Sequence, residues 1–455
     1  MINLTVEKIC QITGGTTNCD GTTTITQAPV FDSREAKPGS FFLALKGENL
    51  DGHQFIKAAI SNGAIFGLTS KEVPEPHIRV PDVLKALGEI AKFVRSQLPD
   101  LKVVAITGSQ GKTTTKELLN QMLSQFGETV ASEGSYNNEL GAPLTLLKCD
   151  NSTKYCITEL GARHPGDIKY LAEIVQPNIG VVLTIGSAHL GEFGSREIIA
   201  KTKGELIDAL PNDGVAILGT YDELTPKLNK NFKGKTITFG EKSDCLVRAA
   251  DVESREGYPY FDLVTPDDRA PVSLRLVGLH QISNALAAAA VGVAFNVPTE
   301  KIASALSTAE PKSKWRMELH DLPGLLIIND SYNANPESMT AALRTLALFA
   351  QERGGSSWAF LGKMHELGSI SNEAHANIGL LATELGIDHL IGVKESNYGG
   401  INADSLEKAL EYAREISPGD VVLVKASRAE ALNELSDGII AAWRSEEHTS
   451  ELQSH

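Results

Sequence analysis

The chain has 455 residues, of which 42% are hydrophobic and 22% charged, as is typical of a globular protein with about two to four domains. Its formal net charge of −15 argues against non-specific binding to nucleic acid or to an anionic membrane surface. The five cysteines are scattered without a CxxC pair, which argues against a disulfide framework or a zinc site. No signal-peptide pattern and no apolar run of membrane length is found, so we expect a cytoplasmic protein.

Residues 1–85 are predicted to form a small mixed α/β domain. Strand-like pieces such as "TTITQAPVF", "SFFLAL" and "AIFGLTS" are separated by Gly and Pro turns, and "HQFIKAAISNG" favours a short amphipathic helix. The stretch "VPDVLKALGEIAKFVRSQL" has apolar residues at three- and four-residue spacing, which predicts a second helix leading into the next domain.

Two α/β domains are predicted to follow, so the fold class is α/β with three domains. In residues 86–312 the buried runs "KVVAIT", "YCITEL", "NIGVVLTI" and "GVAIL" alternate with helical stretches, which predicts a central parallel sheet. The alternation restarts after "EPKSKWR" with "GLLIIND", "SWAFLG", "HLIGV" and "VVLVKAS", which predicts a Rossmann-like domain over residues 313–443.

The last twelve residues, "RSEEHTSELQSH", differ from the rest of the chain. They have no apolar period and follow a helix that is predicted to end at Trp443. The string resembles the translation of a sequencing-library adapter. Our hypothesis is that residues 444–455 are a non-native tail.

A strand followed by two glycines, a lysine and three hydroxyl residues marks the stretch "VVAITGSQGKTTTKE" at residues 103–117. Glycines let backbone N–H groups crowd an anion, and a following helix places its positive end there, so this order favours a phosphate loop over a plain turn with a helix cap. The lysine can reach the β- and γ-phosphates, and the next threonine can ligate Mg²⁺. The predicted ATP-binding residues are Thr107, Gly108, Ser109, Gln110, Gly111, Lys112, Thr113 and Thr114, with Lys112 also catalytic and Thr113 a metal ligand.

The loop is shorter than the usual eight-residue pattern, because Ile106 stands where its first glycine is normally found. In this short form, beginning with Thr107-Gly108, it resembles the ATP site of the Mur ligase family, which includes folylpolyglutamate synthetase. The resemblance implies an ATP-dependent enzyme that activates a carboxylate as an acyl phosphate, which an amine then attacks. A P-loop kinase or GTPase would need the longer loop, and a non-catalytic nucleotide-binding module is the other alternative.

The metal-binding residues of the central domain are predicted by the same resemblance. Glu159 ends a predicted strand, where a carboxylate suits Mg²⁺ but could equally cap a helix. The resemblance implies that Glu159 and His189 hold metal ions, and that Lys203 is carbamylated to hold a second Mg²⁺. A structural histidine and a solvated helix lysine are the alternatives, and Lys201 competes with Lys203. We therefore predict Glu159, His189 and Lys203 as catalytic residues and metal ligands.

The stretch "INDSYNANPESM" follows a predicted strand and leads into a helix that Pro336 starts. A mere turn seldom groups so many hydrogen-bonding side chains around a tyrosine, and D-[SA]-Y-N-A-N is the signature of one branch of the Mur ligase family. The resemblance implies nucleotide contacts from Asp330, from Arg316 in "KWRMEL" and from Asn284 in "GLHQISNALAAAAVG". It implies substrate contacts from Tyr332, Asn333 and Asn335.

Two further stretches resemble substrate-binding segments of the family. Ser33 and Arg34 in "FDSREAKPGS" are placed near the UDP group, with an exposed charged turn as the alternative, and Asn137 and Asn138 in "GSYNNELGAPLTLL" are placed near substrate. Three positions depart from the family pattern. They are Gln281 for asparagine, Lys363 for an acid and Ala426 for glycine.

Taken together, the resemblance implies a ligase that uses ATP and Mg²⁺ to join D-alanyl-D-alanine to the terminal carboxylate of a UDP-N-acetylmuramoyl tripeptide. Another Mur ligase or an enzyme like folylpolyglutamate synthetase is the alternative. We expect a monomer that binds neither nucleic acid nor membrane.

Overall fold

The computed structural model of the protein describes residues 1–47, 50–188 and 190–453. This described part contains three main sheets that follow one another along the chain and are covered by helices. None of its helices is both long and apolar enough to cross a membrane.

The N-terminal sheet is small and mixed, as predicted. Its strands follow the order β2-β6-β5-β4, with β2 antiparallel to β6 and the other pairs parallel, while β1 and β3 pair separately. The elements are β1 (Leu4–Thr5), α1 (Val6–Thr13), β2 (Thr16–Thr17), β3 (Thr24–Ile25), β4 (Phe42–Leu43), α2 (Ile56–Ser61), β5 (Gly67–Thr69), β6 (His77–Arg79) and α3 (Val83–Ser96).

α3 connects the first two sheets. Its apolar face, including Leu87, Ile90 and Val94, is buried in one hydrophobic cluster with Leu68 of the N-terminal sheet and Val103 of the central sheet. The two sheets therefore share a continuous core, and α3 spans the residues between which we predict the first domain boundary. The domain boundaries stay predictions.

The central sheet has the order β15-β14-β13-β12-β11-β10-β7-β9-β8. Its elements are β7 (Lys102–Thr107), α4 (Lys112–Leu123), β8 (Thr129–Ala131), α5 (Gly141–Leu147), β9 (Tyr155–Glu159), α6 (Asp167–Val175), β10 (Ile179–Val182), α7 (Leu190–Phe193), α8 (Arg196–Asp208), β11 (Val215–Gly219), β12 (Lys235–Gly240), β13 (Val247–Arg255), β14 (Tyr258–Val264), β15 (Arg269–Ser273), α9 (Gln281–Ala294) and α10 (Thr299–Thr308).

The four predicted buried strands of this domain are β7, β9, β10 and β11, and they pair in parallel as predicted. The sheet is not parallel throughout, because β14 and β15 extend it as antiparallel strands beyond β13. The carboxyl ends of β7, β9 and β10 lie side by side, so the loops after them meet at one edge. The alanine-rich helix α9 is buried from Ala285 to Val291 in the same core, since small side chains permit close packing.

The C-terminal sheet has the order β16-β17-β21-β18-β19-β20, and all its pairs are parallel except β16 with β17. The four strands predicted here are β17, β18, β19 and β21. The elements are β16 (Glu318–Leu322), β17 (Leu325–Asn329), α11 (Pro336–Arg353), β18 (Ser357–Leu361), α12 (Ser371–Glu384), β19 (His389–Val393), β20 (Ile401–Ala403), α13 (Leu406–Ala413), β21 (Val421–Lys425) and α14 (Asn433–Gln453).

The predicted end of the last helix at Trp443 is wrong. α14 continues to Gln453, because the following residues contain neither Gly nor Pro and include several good helix formers. The non-native origin of residues 444–455 stays a hypothesis.

Asp420 stabilises the C-terminal sheet from one buried position. Its carboxylate accepts hydrogen bonds from the Ser356 backbone N–H (2.8 Å), the Trp358 indole N–H (2.9 Å) and the Ser417 backbone N–H (2.9 Å).

Because Asp420→Ala leaves these donors unpaired, we expect a loss of about 2–3 kcal/mol in the free energy of unfolding. Urea denaturation measures it, with exposed Asp404→Ala as the matched control, and equal midpoints for the two variants would contradict this role.

Candidate active site

The phosphate loop, residues 108–111, joins β7 to α4 at the carboxyl edge of the central sheet. α4 begins at Lys112, so its first backbone N–H groups and the positive end of its dipole face the loop. Gly111 precedes the helix with a φ of +82°, a left-handed conformation that glycine adopts without strain. A side chain at Gly111 would also collide with the Asn284 carboxamide, which closes over the loop. This geometry suits an anion bound against the backbone.

Three cationic side chains converge on the loop. The Lys112 ammonium donates to the Gly108 carbonyl at 2.9 Å, and burial lowers its pKa, which Glu159 opposes and Arg316 reinforces. Burial, reinforced by the Lys112 charge, holds the pKa of Lys203 well below its usual range. Burial and mutual repulsion therefore disfavour the charged form of both lysines, and a bound polyanion would favour the charged form of Lys112.

Glu159 is the last residue of β9 and is fully buried. Within the described ranges neither of its carboxylate oxygens has a hydrogen-bond partner, and the Lys116 ammonium lies 3.8 Å from Oε1. A buried carboxylate with free lone pairs, in the cleft that Thr113 also lines, fits a Mg²⁺ ligand. No three His, Cys, Asp or Glu side chains of the described residues group to hold a metal, so other oxygens would complete the coordination. His189, the other predicted ligand, lies outside the described residues.

A cleft of about 1190 Å³ between the central and C-terminal domains brings most of the predicted site residues together. Thr107 lies beneath it, where its buried hydroxyl donates to the Leu160 carbonyl at 2.8 Å. The predicted residues that line the cleft are Ser109, Gln110, Gly111, Lys112, Thr113, Thr114, Asn137, Asn138, Glu159, Lys203, Asn284, Arg316, Asp330, Tyr332, Asn333 and Asn335.

The C-terminal domain reaches the phosphate loop through Arg316. Its guanidinium donates to the Thr113 hydroxyl at 3.1 Å and lies 3.9 Å from the centre of the Tyr332 ring. Asp330 lies at the same wall and accepts a hydrogen bond of 2.5 Å from the buried Lys425 ammonium. The nucleotide residues predicted in two different domains are thus adjacent in space.

Asn284 is held in place by Gln281, one of the three residues that depart from the family pattern. Its amide donates to the Gln281 side-chain oxygen at 2.8 Å, and its own oxygen accepts from the Thr115 hydroxyl at 3.3 Å. Gln281 therefore keeps Asn284 over the phosphate loop. A contact between Asn284 and adenine stays a prediction.

Two of the predicted substrate-binding asparagines also accept backbone hydrogen bonds at the starts of helices, and Asn335 is a helix N-cap. The Asn138 side chain accepts the Gly141 N–H at 3.1 Å at the start of α5, and the Asn335 side chain accepts the Ser338 N–H at 2.8 Å at the start of α11. Asn137 lines the same side of the cleft as Asn138. These hydrogen bonds fix the backbone at both positions whether or not the side chains touch substrate.

Ser33 and Arg34 do not line this cleft. They lie in a single helical turn of the N-terminal domain, where the Arg34 guanidinium pairs with Asp32 at 2.6 Å and remains exposed. A role in binding the UDP group stays a prediction.

Among the residues that line the cleft or lie beside its Glu159 and were not predicted from the sequence, three make notable contacts. Lys425 and Lys116 are buried lysines, and Glu337 accepts hydrogen bonds from the Ser187 N–H (2.8 Å) and hydroxyl (2.9 Å) of the central domain. A lysine ending the apolar run "VVLVK" was an available signal for Lys425. Glu337 had no local signal, because its partner is distant in the chain.

Comparison with known proteins gives the class of this fold and site. Models described as Mur ligase family catalytic domain, Mur ligase middle domain, and Mur ligase glutamate ligase domain match residues 30–95, 106–292 and 315–438. Similarity to relatives extends over nearly the whole chain. The protein belongs to the Mur ligase family.

The similar relatives point to one branch of that family. The UDP-N-acetylmuramoyl-tripeptide–D-alanyl-D-alanine ligase of Mycobacterium tuberculosis (strain ATCC 25618 / H37Rv) is 38% identical over 97% of this chain and 98% of its own length. A crystal structure of MurF from Acinetobacter baumannii is 33% identical, with a TM-score of 0.88 over 96% of this chain and 99% of that chain. MurF from Thermotoga maritima, solved in complex with ADP, is 29% identical with a TM-score of 0.78 over 91% and 97%.

His280 links the cleft to the pH dependence of stability. Burial lowers its pKa from 6.5 to about 4, while Asp330 opposes and Lys425 reinforces the shift. Between these values the unfolded chain binds a proton that the folded chain does not, so stability is lost as the pH falls from 6.5 towards 4.

We expect His280→Gln to reduce the loss of stability as the pH falls from 6.5 towards 4, because glutamine does not bind a proton in this range. Denaturation at about pH 8, where histidine is neutral in both states, gives the packing cost of the substitution as an internal control. The variant should gain stability relative to the parent at about pH 4.5, and parallel pH profiles would refute this assignment.

Proposed function

We propose that the protein is an ATP-dependent amide ligase that joins D-alanyl-D-alanine to the terminal carboxylate of a UDP-N-acetylmuramoyl tripeptide through an acyl phosphate. This is the last cytoplasmic step in assembling the peptide of the peptidoglycan precursor. The observation that carries the proposal is the interdomain cleft. The phosphate loop and the buried Glu159 of the central domain meet Arg316 and Asp330 of the C-terminal domain there. The relatives named above support the two substrates.

The residues of the phosphate loop would hold the nucleotide for phosphoryl transfer. The loop N–H groups and Lys112 would take the charge of the phosphates, and Arg316 would approach from the opposite wall as the γ-phosphoryl moves to the carboxylate. Thr113 and Glu159 would hold Mg²⁺, with His189 and a carbamylated Lys203 as further ligands implied by the resemblance. When bound, Mg²⁺ neutralises phosphate charge.

In the second half of the reaction the substrates must be held in a defined orientation relative to one another. Asn137 and Asn138 line the cleft beside Glu159 and would orient the tripeptide, while Tyr332, Asn333 and Asn335 would orient the dipeptide amine. Well-oriented groups can recover about 7–11 kcal/mol of barrier, and the closed cleft would exclude the water that hydrolyses an acyl phosphate. The product amide and inorganic phosphate would follow from attack of the amine.

The proposal is tested by supplying ATP, Mg²⁺, a UDP-N-acetylmuramoyl tripeptide and D-alanyl-D-alanine, and following the product by mass spectrometry. We expect the mass of the UDP-linked pentapeptide together with phosphate release that depends on both substrates. Phosphate release without D-alanyl-D-alanine, or a product with a different amine, would replace this function by that of another ligase of the family. Sedimentation in the same buffer tests the expected monomer.

We expect Lys112→Ala to lower product formation by at least about a hundredfold, because the transferring phosphoryl group loses a preorganised cation. The fold should be retained, since burial and Arg316 already disfavour the charge of Lys112. Phosphate release and circular dichroism measure the two effects. The exposed Lys301→Ala on α10 is the control, and equal turnover in both variants would remove Lys112 from the mechanism.

Carbamylation of Lys203 has its own test. Lys203 is buried and lines the cleft, whereas its competitor Lys201 is exposed. In carbon-13 bicarbonate we expect a carbamate signal by NMR in the parent protein and in Lys201→Ala, and none in Lys203→Ala. A signal that persists without Lys203 would place the carbamate elsewhere.

A further inference from the structure

Lys425 holds both ends of the turn that follows β17. It is the last residue of β21, is 1% exposed and lines the cleft. Its ammonium donates to the Asp330 carboxylate at 2.5 Å and to the Asn333 carbonyl at 2.9 Å. One buried charge therefore fixes the conformation of residues 330–333.

Asp330 passes this constraint to the segment that carries Arg316. Its second carboxylate oxygen accepts the Met317 backbone N–H at 3.1 Å. Trp315 and Met317, on either side of Arg316, have φ values of +60° and +50°, which are unfavourable for residues with a side chain. Such a conformation persists only where surrounding contacts hold it, and the Asp330 hydrogen bond is one of those contacts.

Two further contacts hold the same segment against the turn. The Tyr332 backbone N–H donates to the Trp315 carbonyl at 3.0 Å, and the Tyr332 ring lies under the Arg316 guanidinium. Arg316 then donates to the hydroxyl of Thr113, in the first turn of α4 next to the phosphate loop. Contacts thus run from Lys425 to Asp330 and the Met317 backbone, and the adjacent Arg316 contacts Thr113 across the interface of two domains.

We propose that Lys425 is a positioning residue for ATP: it orients Asp330 so that Arg316 is held beside the phosphate loop, at Thr113. The inference rests on the proposed function for the identity of the nucleotide. Stability alone does not account for a lysine here, because a buried ion pair is often no more stabilising than apolar residues of similar volume. The position at the cleft wall, with each contact directed to the turn at residues 330–333, accounts for it.

The decisive measurement is binding of a non-hydrolysable ATP analogue by calorimetry, which needs no turnover. We expect Lys425→Met to weaken analogue binding by about tenfold or more. In this variant Arg316 would be misplaced, and its charged contact with the phosphates would be lost. Binding of the UDP-N-acetylmuramoyl tripeptide should change less than about twofold, because its contacts are predicted from other loops. The exposed Lys408→Met of the same domain should leave both affinities unchanged.

A double-mutant cycle separates positioning from a general structural role. If Lys425 acts through Asp330, Lys425→Met should add less than about twofold to the loss seen in Asp330→Asn. Additive losses, or analogue binding unchanged in Lys425→Met, would overturn the proposal. Lys425→Gln keeps a donor that is neutral and one bond shorter, and it replaces Lys425→Met, with the same expected loss, if that variant does not fold.

Failure of both Lys425 variants to fold while Asp330→Asn folds would also overturn the proposal, because Lys425 would then be a purely structural residue. Normal analogue binding by the parent protein with no ligation would refute the proposed function alone. The two failures are therefore distinguishable.

Discussion

The positive charge collected at the carboxyl edge of the central sheet is the constraint on which the rest of the site depends. Lys112, Lys203 and Arg316 face one cleft, and burial lowers the pKa of both lysines. Each loses solvation there, and their mutual repulsion adds to that loss. The folded protein tolerates this arrangement because the sheet and its helices are stabilised elsewhere, by an extensive apolar core. A polyphosphate is the ligand that Lys112 and Arg316 favour, while the burial that disfavours the charge of Lys203 is consistent with the carbamate proposed there.

The same edge explains why the chain needs a second α/β domain. The phosphate loop presents backbone N–H groups from one side only, so the far side of a bound nucleotide must be met by another element. Arg316 meets Thr113 there, and Glu337 receives two hydrogen bonds from Ser187 on the neighbouring loop. Contacts made by short polar groups across an interface depend on its separation. They therefore fix the position of the C-terminal domain relative to the phosphate loop in this structure.

Much of this organisation could be predicted from local pattern. A buried parallel strand is a continuous apolar run, and a phosphate loop combines glycines, a lysine and hydroxyl residues within a few positions. The strands on either side of the loop and the C-terminal parallel strands follow the prediction. The antiparallel extension by β14 and β15 does not, because alternating strands at a sheet edge have a weaker signal than buried ones. The last helix extends past its predicted end because the residues after Trp443 include good helix formers.

The sequence alone determined the chemistry of the phosphate loop, the α/β class and the family to which the chain belongs, because these depend on residues that are neighbours in the chain. The tertiary structure decided which distant groups share the cleft. Lys425 meets Asp330 and Glu337 meets Ser187 only because strand order and domain packing bring them together. It also separated Ser33 and Arg34 from the cleft. Burial, charge pairing and contact across domains are properties of the folded chain, and no local pattern of residues encodes them.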